Sequence, residues 1–289
     1  MKPGSPEWGR VVTEPGIYDG MPDEFYHADP VPGGSLSTSG AKTLVTKSPA
    51  HYAYEREHGR PDKPHFDFGH AAHLEVLGRG LPVEVIEGDW RTKGPAAAVK
   101  AAREAGRVPL HREEHERILG MAAAIKAHPL APILFSDGKA EQSAFWRDAD
   151  SGVWRRARFD WLPGVRTKSG RLIIPDYKTT ITAHPREWGK KSADFGYHMQ
   201  ADAYTEAAQA CGLGDEVVLV FVAQEKEPPY VVSVFQLDAD AMRIGNYLNR
   251  KAIDLYAECT RLGRWPGYST AVEQVSLPGW YLNQHEDAL

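Results

Sequence analysis

Two cysteines in 289 residues are too few and too far apart to organise a fold. Cys211 and Cys259 form no C-x-x-C pair, which argues against a disulfide framework, a zinc knuckle or an iron–sulfur cluster. Basic charge is also in short supply: 34 lysines and arginines face 39 acids, and the formal net charge is −5. A bulk electrostatic signature for nucleic acid is therefore absent, and any such contact must come from a local patch. No window approaches the roughly 18 consecutive apolar residues of a membrane span, so no membrane partner is expected. The opening MKPGSPEWGR lacks the apolar core of a signal peptide, which predicts a cytoplasmic chain. Internal repeats and low-complexity tracts are missing too. What is there is an ordinary globular composition, 42% hydrophobic and 25% charged, enough for one large domain or slightly more.

Residues 1–34 are rich in proline, glycine and aromatics and show no helical or strand period, so an extended N-terminal arm is expected there. The remainder, 35–289, reads as a single domain. Residues 35–59 predict two short helices, with Pro49 just inside the start of the second and Gly59 just past its end. DFGHAAHLEVLG and two alanine-rich stretches, GPAAAVKAAREAG and REEHERILGMAAAIKAH, predict three more. From Lys139 the texture changes. Two aromatic-bearing runs around DADSG predict a hairpin, and RLIIPDYKTT a third strand. A helix closed by Gly212 follows, then a hairpin turned by Pro228 and Pro229. A long last helix is capped by Asp238 or Asp240 and ended by Gly263. That order predicts an α/β or α+β layered fold, one sheet covered by helices.

Chemistry gathers on the strands. Alternation in VWRRARFDWLP puts Arg156, Arg158 and Asp160 on one face, with Ala157, Phe159 and Trp161 on the other. In IIPDYKTT, Asp176 and Lys178 share a face and Tyr177 takes the opposite one. Each feature alone has a plain reading as a surface ion pair. Two neighbouring strands that each offer an acid, one adding a lysine, suit a divalent cation such as Mg²⁺ with a phosphate substrate. Gly69 and His73 lie one helical turn apart, so His73 is a candidate ligand and His70 the alternative. Gln200 and Tyr204 share a helical face at i and i+4.

G-x-x-x-H on a helix, an Asp closing an arginine-rich strand, PDYK on the next strand and Q-x-x-x-Y on the following helix occur here in that order. This set resembles the PD-(D/E)-x-K nucleases of the RecB type, and within them the RecE-like, exonuclease VIII type enzymes of phages and prophages. The resemblance covers roughly residues 35 to 285. It implies a restriction-endonuclease-like core, a central mixed sheet flanked by helices. It implies Mg²⁺ or Mn²⁺ held by His73, Asp160, Asp176 and the Tyr177 backbone carbonyl, with Lys178 as the catalytic lysine. Gln200 and Tyr204 would support the site and the DNA strand, and Glu141 falls where relatives often carry an acid. Such relatives degrade one strand of linear duplex DNA from its 5′ end as ring-forming oligomers, trimers or tetramers, beside a RecT-like annealing protein. If phage-encoded, the chain would work in the host cytoplasm. Basic residues are then expected along the DNA channel: Arg156 and Arg158 beside Asp160, and Lys190 and Lys191 in the loop before the Gln200 helix. A Cas4-like nuclease is disfavoured by the cysteine count. A PD-(D/E)-x-K endonuclease and an inactive DNA-binding module complete the alternatives.

Overall fold

A computed structural model describes residues 11–59, 64–78 and 82–288. The chain begins with β1 (Gly16–Tyr18), α1 (Asp23–His27) and β2 (Leu36–Ser37), followed by α2 (Thr38–Thr46), α3 (Pro49–His58) and α4 (Pro64–Leu77). Next come β3 (Val83–Val85), α5 (Lys93–Glu104), β4 (Val108–Leu110), α6 (Arg112–Ala127) and the single turn α7 (Ala131–Leu134). The central hairpin is β5 (Gly138–Arg147) and β6 (Trp154–Pro163), and β7 (Leu172–Thr180) follows it. Then α8 (Pro185–Phe195), α9 (Tyr197–Ala210), β8 (Val217–Glu225), β9 (Val232–Phe235), α10 (Ala239–Leu262) and α11 (Gly279–Gln284) complete the described fold. Among the described residues no helix is long and apolar enough to cross a membrane.

The local signals act as their chemistry requires. Ser48 Oγ accepts the His51 N–H and Pro49 opens α3, while Gly59 takes φ 74° just beyond it. Asp238 caps α10 by accepting the Ala241 N–H at 2.8 Å, and Gly263 ends it in the left-handed region. The β5–β6 turn is held by Asp148, whose Oδ1 accepts the Ser151 N–H at 2.8 Å.

The expected single sheet is two main ladders instead. One is β1-β5-β6-β2 and the other β7-β8-β9, with a separate β3–β4 pair. They abut where β6 meets β7. There the Tyr177 N–H turns towards β6 and is taken by a side chain, Asp160 Oδ2 at 2.8 Å. A carboxylate in the place of a backbone carbonyl keeps the strands adjacent while opening a seam between the ladders.

Strand β7 is buried on both faces, which is why its sequence reads as an apolar run. Leu172 and Ile174 pack with Trp146, Phe159 and Phe221 under α8 and α9. Tyr177 points the other way, into a second core with Phe68, Met121 and Val222 beneath α4 and α6. On the first face Leu172 and Ile174 are succeeded by Asp176 and Lys178, so a core surface becomes polar towards the carboxyl end of the strand.

Residues 11–34 depart from the extended arm. Strand β1 pairs antiparallel with β5, and Val12, Met21, Tyr26 and Val31 bury themselves against Phe145 and Trp154. A segment without period still folds when its apolar residues meet a tertiary surface; burying a Tyr or Met side chain is worth about 1.5–3 kcal/mol. Lys190 and Lys191 likewise lie in a helix, α8, rather than a loop.

Candidate active site

Three elements converge on the seam between β6 and β7. Strand β6 brings Asp160, fixed by the Tyr177 N–H. Strand β7 brings Asp176 and Lys178, side by side because two residues along a strand share a face. Helix α9, packed over that face, brings Gln200, whose Nε2 donates to Asp176 Oδ1 at 2.5 Å. Lys178 Nζ lies 2.5 Å from Asp176 Oδ2. Asp176 is 1% exposed, and its Oδ2 receives no well-directed hydrogen bond. That oxygen faces the Lys178 ammonium, and a carboxylate oxygen has further lone pairs to share with a cation.

From the other side of β7, α4 carries His73 to the rim of the seam, its ring edge-on to Tyr177 at 5.2 Å. Strand β5 supplies Glu141, opposite Asp160 by the register of the hairpin, at the one rung where pairing is interrupted. Glu141 has φ 53°, a conformation that costs a non-glycine residue roughly 1 kcal/mol or more and that Asp29, Asp137 and Tyr230 also adopt. Its carboxylate stands 3.9 Å from His73 Nδ1 and 3.6 Å from Arg158 Nε. His73, Glu141 and Asp160 each place one ligand atom within 4.8 Å of the others. Two carboxylates and an imidazole, with the Asp176 carboxylate nearby, fit a hard divalent cation. The Tyr177 carbonyl points to the same edge as its N–H, since one residue's N–H and C=O face the same side of a strand.

The electrostatics follow from crowding. Burial raises the pKa of Asp160, against the pull of Lys178 and the Tyr177 N–H. Burial and then the Asp160 charge push Asp176 up to about 6. Burial disfavours the Lys178 ammonium, but Asp176 and Asp160 outweigh it and hold the lysine charged. Perturbed groups of this kind collect where chemistry is done.

Most of the other expected site residues are engaged in the fold around the seam. Arg156 Nη1 pairs with Asp29 at 2.7 Å and donates to Ser35 O and Oγ. Arg158 pairs with Asp23 at 2.7 Å and donates to the Met21 carbonyl. Their side chains are only 12% and 10% exposed, and Tyr26 lies across both guanidinium groups. These arginines fasten the N-terminal segment, which takes them out of a DNA path. Tyr204, one turn after Gln200 on α9, packs edge-on against Phe159 at 5.4 Å; burial raises its pKa, and Asp176 and Asp160 lie close enough to raise it further. Lys190 is exposed on α8, while Lys191 Nζ donates to Thr180 Oγ1 and the Thr182 carbonyl. The His70 side chain lies outside the described residues.

A crystal structure of a "Putative exonuclease" from Eubacterium rectale superposes with a TM-score of 0.56 at 12% identity, covering 86% of this chain and 92% of that one. The likeness is one of fold. The structure of SSO0001 aligns over 80% of this chain and 76% of that one at 14% identity and a TM-score of 0.34, too low to add to it. Among curated proteins, none matches the sequence. Residues 37–278 match the family described as PDDEXK-like domain of unknown function (DUF3799), and with the seam of Asp160, Asp176 and Lys178 at its centre the chain belongs to that family, within the PD-(D/E)-x-K nuclease superfamily.

Proposed function

We propose that the chain is a divalent-metal-dependent exodeoxyribonuclease that degrades linear double-stranded DNA, 5′ to 3′, leaving 3′ single-stranded tails. The observation that carries this reading is the junction of Asp160, Asp176 and Lys178 with His73 and Glu141 at one seam. In it His73, Glu141, Asp160 and Asp176, with the Tyr177 carbonyl, hold Mg²⁺ or Mn²⁺. The ion, when bound, polarises the phosphodiester and lowers the pKa of a water molecule. The protein's own groups do the rest. Lys178, kept as an ammonium by two carboxylates, faces the anionic phosphate and stabilises the charge that builds during attack. Gln200 holds one oxygen of Asp176 while Lys178 lies against the other, so the carboxylate is held in place beside Asp160. The Tyr177 N–H holds Asp160 in register with Glu141.

The RecE-like resemblance supports polarity, the ring-shaped trimer or tetramer and the RecT-like annealing partner. Self-association has one further support: Tyr268, Val272, Val275 and Trp280, in the C-terminal stretch, are more than 60% exposed. The test is digestion of duplexes labelled at one 5′ or one 3′ end, beside a covalently closed circle, with Mg²⁺, Mn²⁺, Ca²⁺ or chelator. Release of the 5′ label with an intact circle is expected. Brisk cutting of the circle makes the chain an endonuclease, and no cutting in any metal makes it a binding module.

A further inference from the structure

The carboxyl ends of β7 and β8 carry a group of cations that the catalytic seam does not use. Lys226 directly follows β8, and its backbone N–H is bonded to the Thr180 carbonyl at the end of β7. Its side chain is half-buried, with Nζ 5.7 Å from the centre of the Phe68 ring. Arg117 of α6 lies over the same ring at 5.1 Å. Lys191 of α8 reaches Thr180 from the opposite side of the sheet. Phe68 is five residues before His73 on α4, and Thr180 is two residues after Lys178 on its face of β7. The cations therefore adjoin the seam.

Nearby carboxylates are engaged. Glu227 pairs with Arg117 at 2.5 Å, and Glu225 accepts the Ala183 N–H at 2.8 Å. Glu187 acts on Lys191. Lys226 Nζ has no ion-pair or hydrogen-bond partner among the described residues. Burial first, then Arg117 and Lys191, lower its pKa. Desolvation and like charge thus both oppose a cation at this point, and a bound anion would relieve them. Carboxyl ends of parallel strands are also where α/β sheets take their ligands.

We propose that Lys226, with Arg117 and Lys191, forms an anion subsite that grips a backbone phosphate of the substrate strand beside the phosphodiester being cut. The subsite rests on the nuclease reading above and extends it. Lys226 is a positioning residue: it holds the strand by a charge contact and carries no sequence preference.

The experiment compares the parent, Lys226→Ala and Lys226→Arg. Binding of linear duplex is measured in Ca²⁺ across a salt series, and Tm with and without inorganic phosphate. In Lys226→Ala the salt slope should fall by about 1, with uniformly weaker binding of roughly three- to tenfold. Its Tm without phosphate should be unchanged or higher, because a repelled cation has gone. The phosphate-induced rise in Tm should shrink. Lys226→Arg should restore slope and phosphate response. An unchanged slope and phosphate response in Lys226→Ala overturn the subsite. So does a lower Tm that Lys226→Arg does not repair, which marks a packing role. Absence of cutting by the parent counts against the nuclease reading alone, since neither binding nor phosphate response needs turnover.

Discussion

Two buried ion pairs stand on neighbouring strands of this fold, and only one looks like chemistry. Arg155, wholly buried on β6, meets Glu206 of α9 and lies over the Trp146 ring at 5.1 Å. The charges around it are acids: Glu206, Asp202 and Asp148. Asp176 on β7, equally buried, meets Lys178 but also Asp160, a second carboxylate. The first is one cation whose charge is outnumbered by surrounding acids, although its Nε and Nη2 make no hydrogen bond among the described residues. The second sets two carboxylates against a single ammonium, so that Asp160 raises the pKa of Asp176 beyond what burial does. Burying charge is costly in either case. A fold tolerates the unbalanced version where a missing charge is supplied from outside, and that difference separates a structural pair from a site.

Breaking each pair should therefore give opposite phenotypes. Lys178→Ala and Asp160→Ala should lower Mg²⁺-dependent digestion of linear duplex by about 10²- to 10³-fold or more. Both should keep the parent far-UV spectrum: without Lys178 the buried Asp176 takes up a proton, and without Asp160 it keeps Lys178 as its partner. A well-folded Lys178→Ala protein with near-parent activity would remove the lysine from catalysis. Glu206→Ala should do the reverse, costing about 3 kcal/mol by leaving Arg155 with only its more distant acids, while the folded fraction cuts as the parent does. Arg155→Met in the same urea titration should cost much less than Glu206→Ala. If Glu206→Ala is the milder of the two, the pair is not a closed structural unit.

The pairs differ also in what the sequence reveals about them. Asp160, Asp176, Lys178 and Gln200 were legible because strand alternation and helical spacing fix which side chains share a face, and their elements fell where the pattern put them. Glu141 was legible in principle: counting back across the DADSG turn sets it opposite Asp160. Its positive φ was not, since glutamate carries no signal for that conformation. Helix α8 had its markers, Pro185 at the start and Gly196 in the left-handed region at the end. The partners of Arg155, Arg156 and Arg158 lie 51 to 135 positions away, as Glu206, Asp29 and Asp23. Nothing local records them, so alternation correctly placed two arginines beside Asp160 yet could not say that residues 21–35 cover them.

The pKa difference gives a sharper contrast. In the metal-free protein the folded state holds a proton on Asp176 up to about pH 6, whereas an unfolded chain releases it near pH 4. Between those values the folded state binds more protons, so this group's contribution to stability declines as pH rises, then levels off above about pH 6. Asp176→Asn should abolish that decline when its stability–pH profile is subtracted from the parent's. An unchanged difference profile would mean that Asp176 is ionised throughout, and that the site is as balanced as the Arg155 pair. Metal binding is expected to respond less steeply. Glu141→Gln and His73→Ala should each weaken Mn²⁺ binding by at least about tenfold in calorimetric titration, since altering even an outer partner of a metal ligand costs about 10- to 100-fold. Parent-like affinity in Glu141→Gln would take that residue out of the ligand set.

The smallest effect belongs to the surface beyond the site. Lys190 is exposed on α8 and has neither an ion-pair nor a hydrogen-bond partner among the described residues, so the fold does not depend on it. Lys191, half-buried and tied to Thr180 and Thr182, lies on the same helix as part of the proposed phosphate subsite. In a protein of net charge −5, long-range attraction to DNA is weak, and local cations must supply the contacts. Lys190→Ala should lower the salt slope of duplex binding by about 1, and the Lys190→Ala, Lys191→Ala double variant by about 2, alike for every sequence. Tm should hold in the single variant and fall slightly in the double, where the tie to Thr180 is lost. A slope that falls only in the double variant would place the strand against the inner edge of α8, along Thr180, and leave the outer turn of the helix facing water.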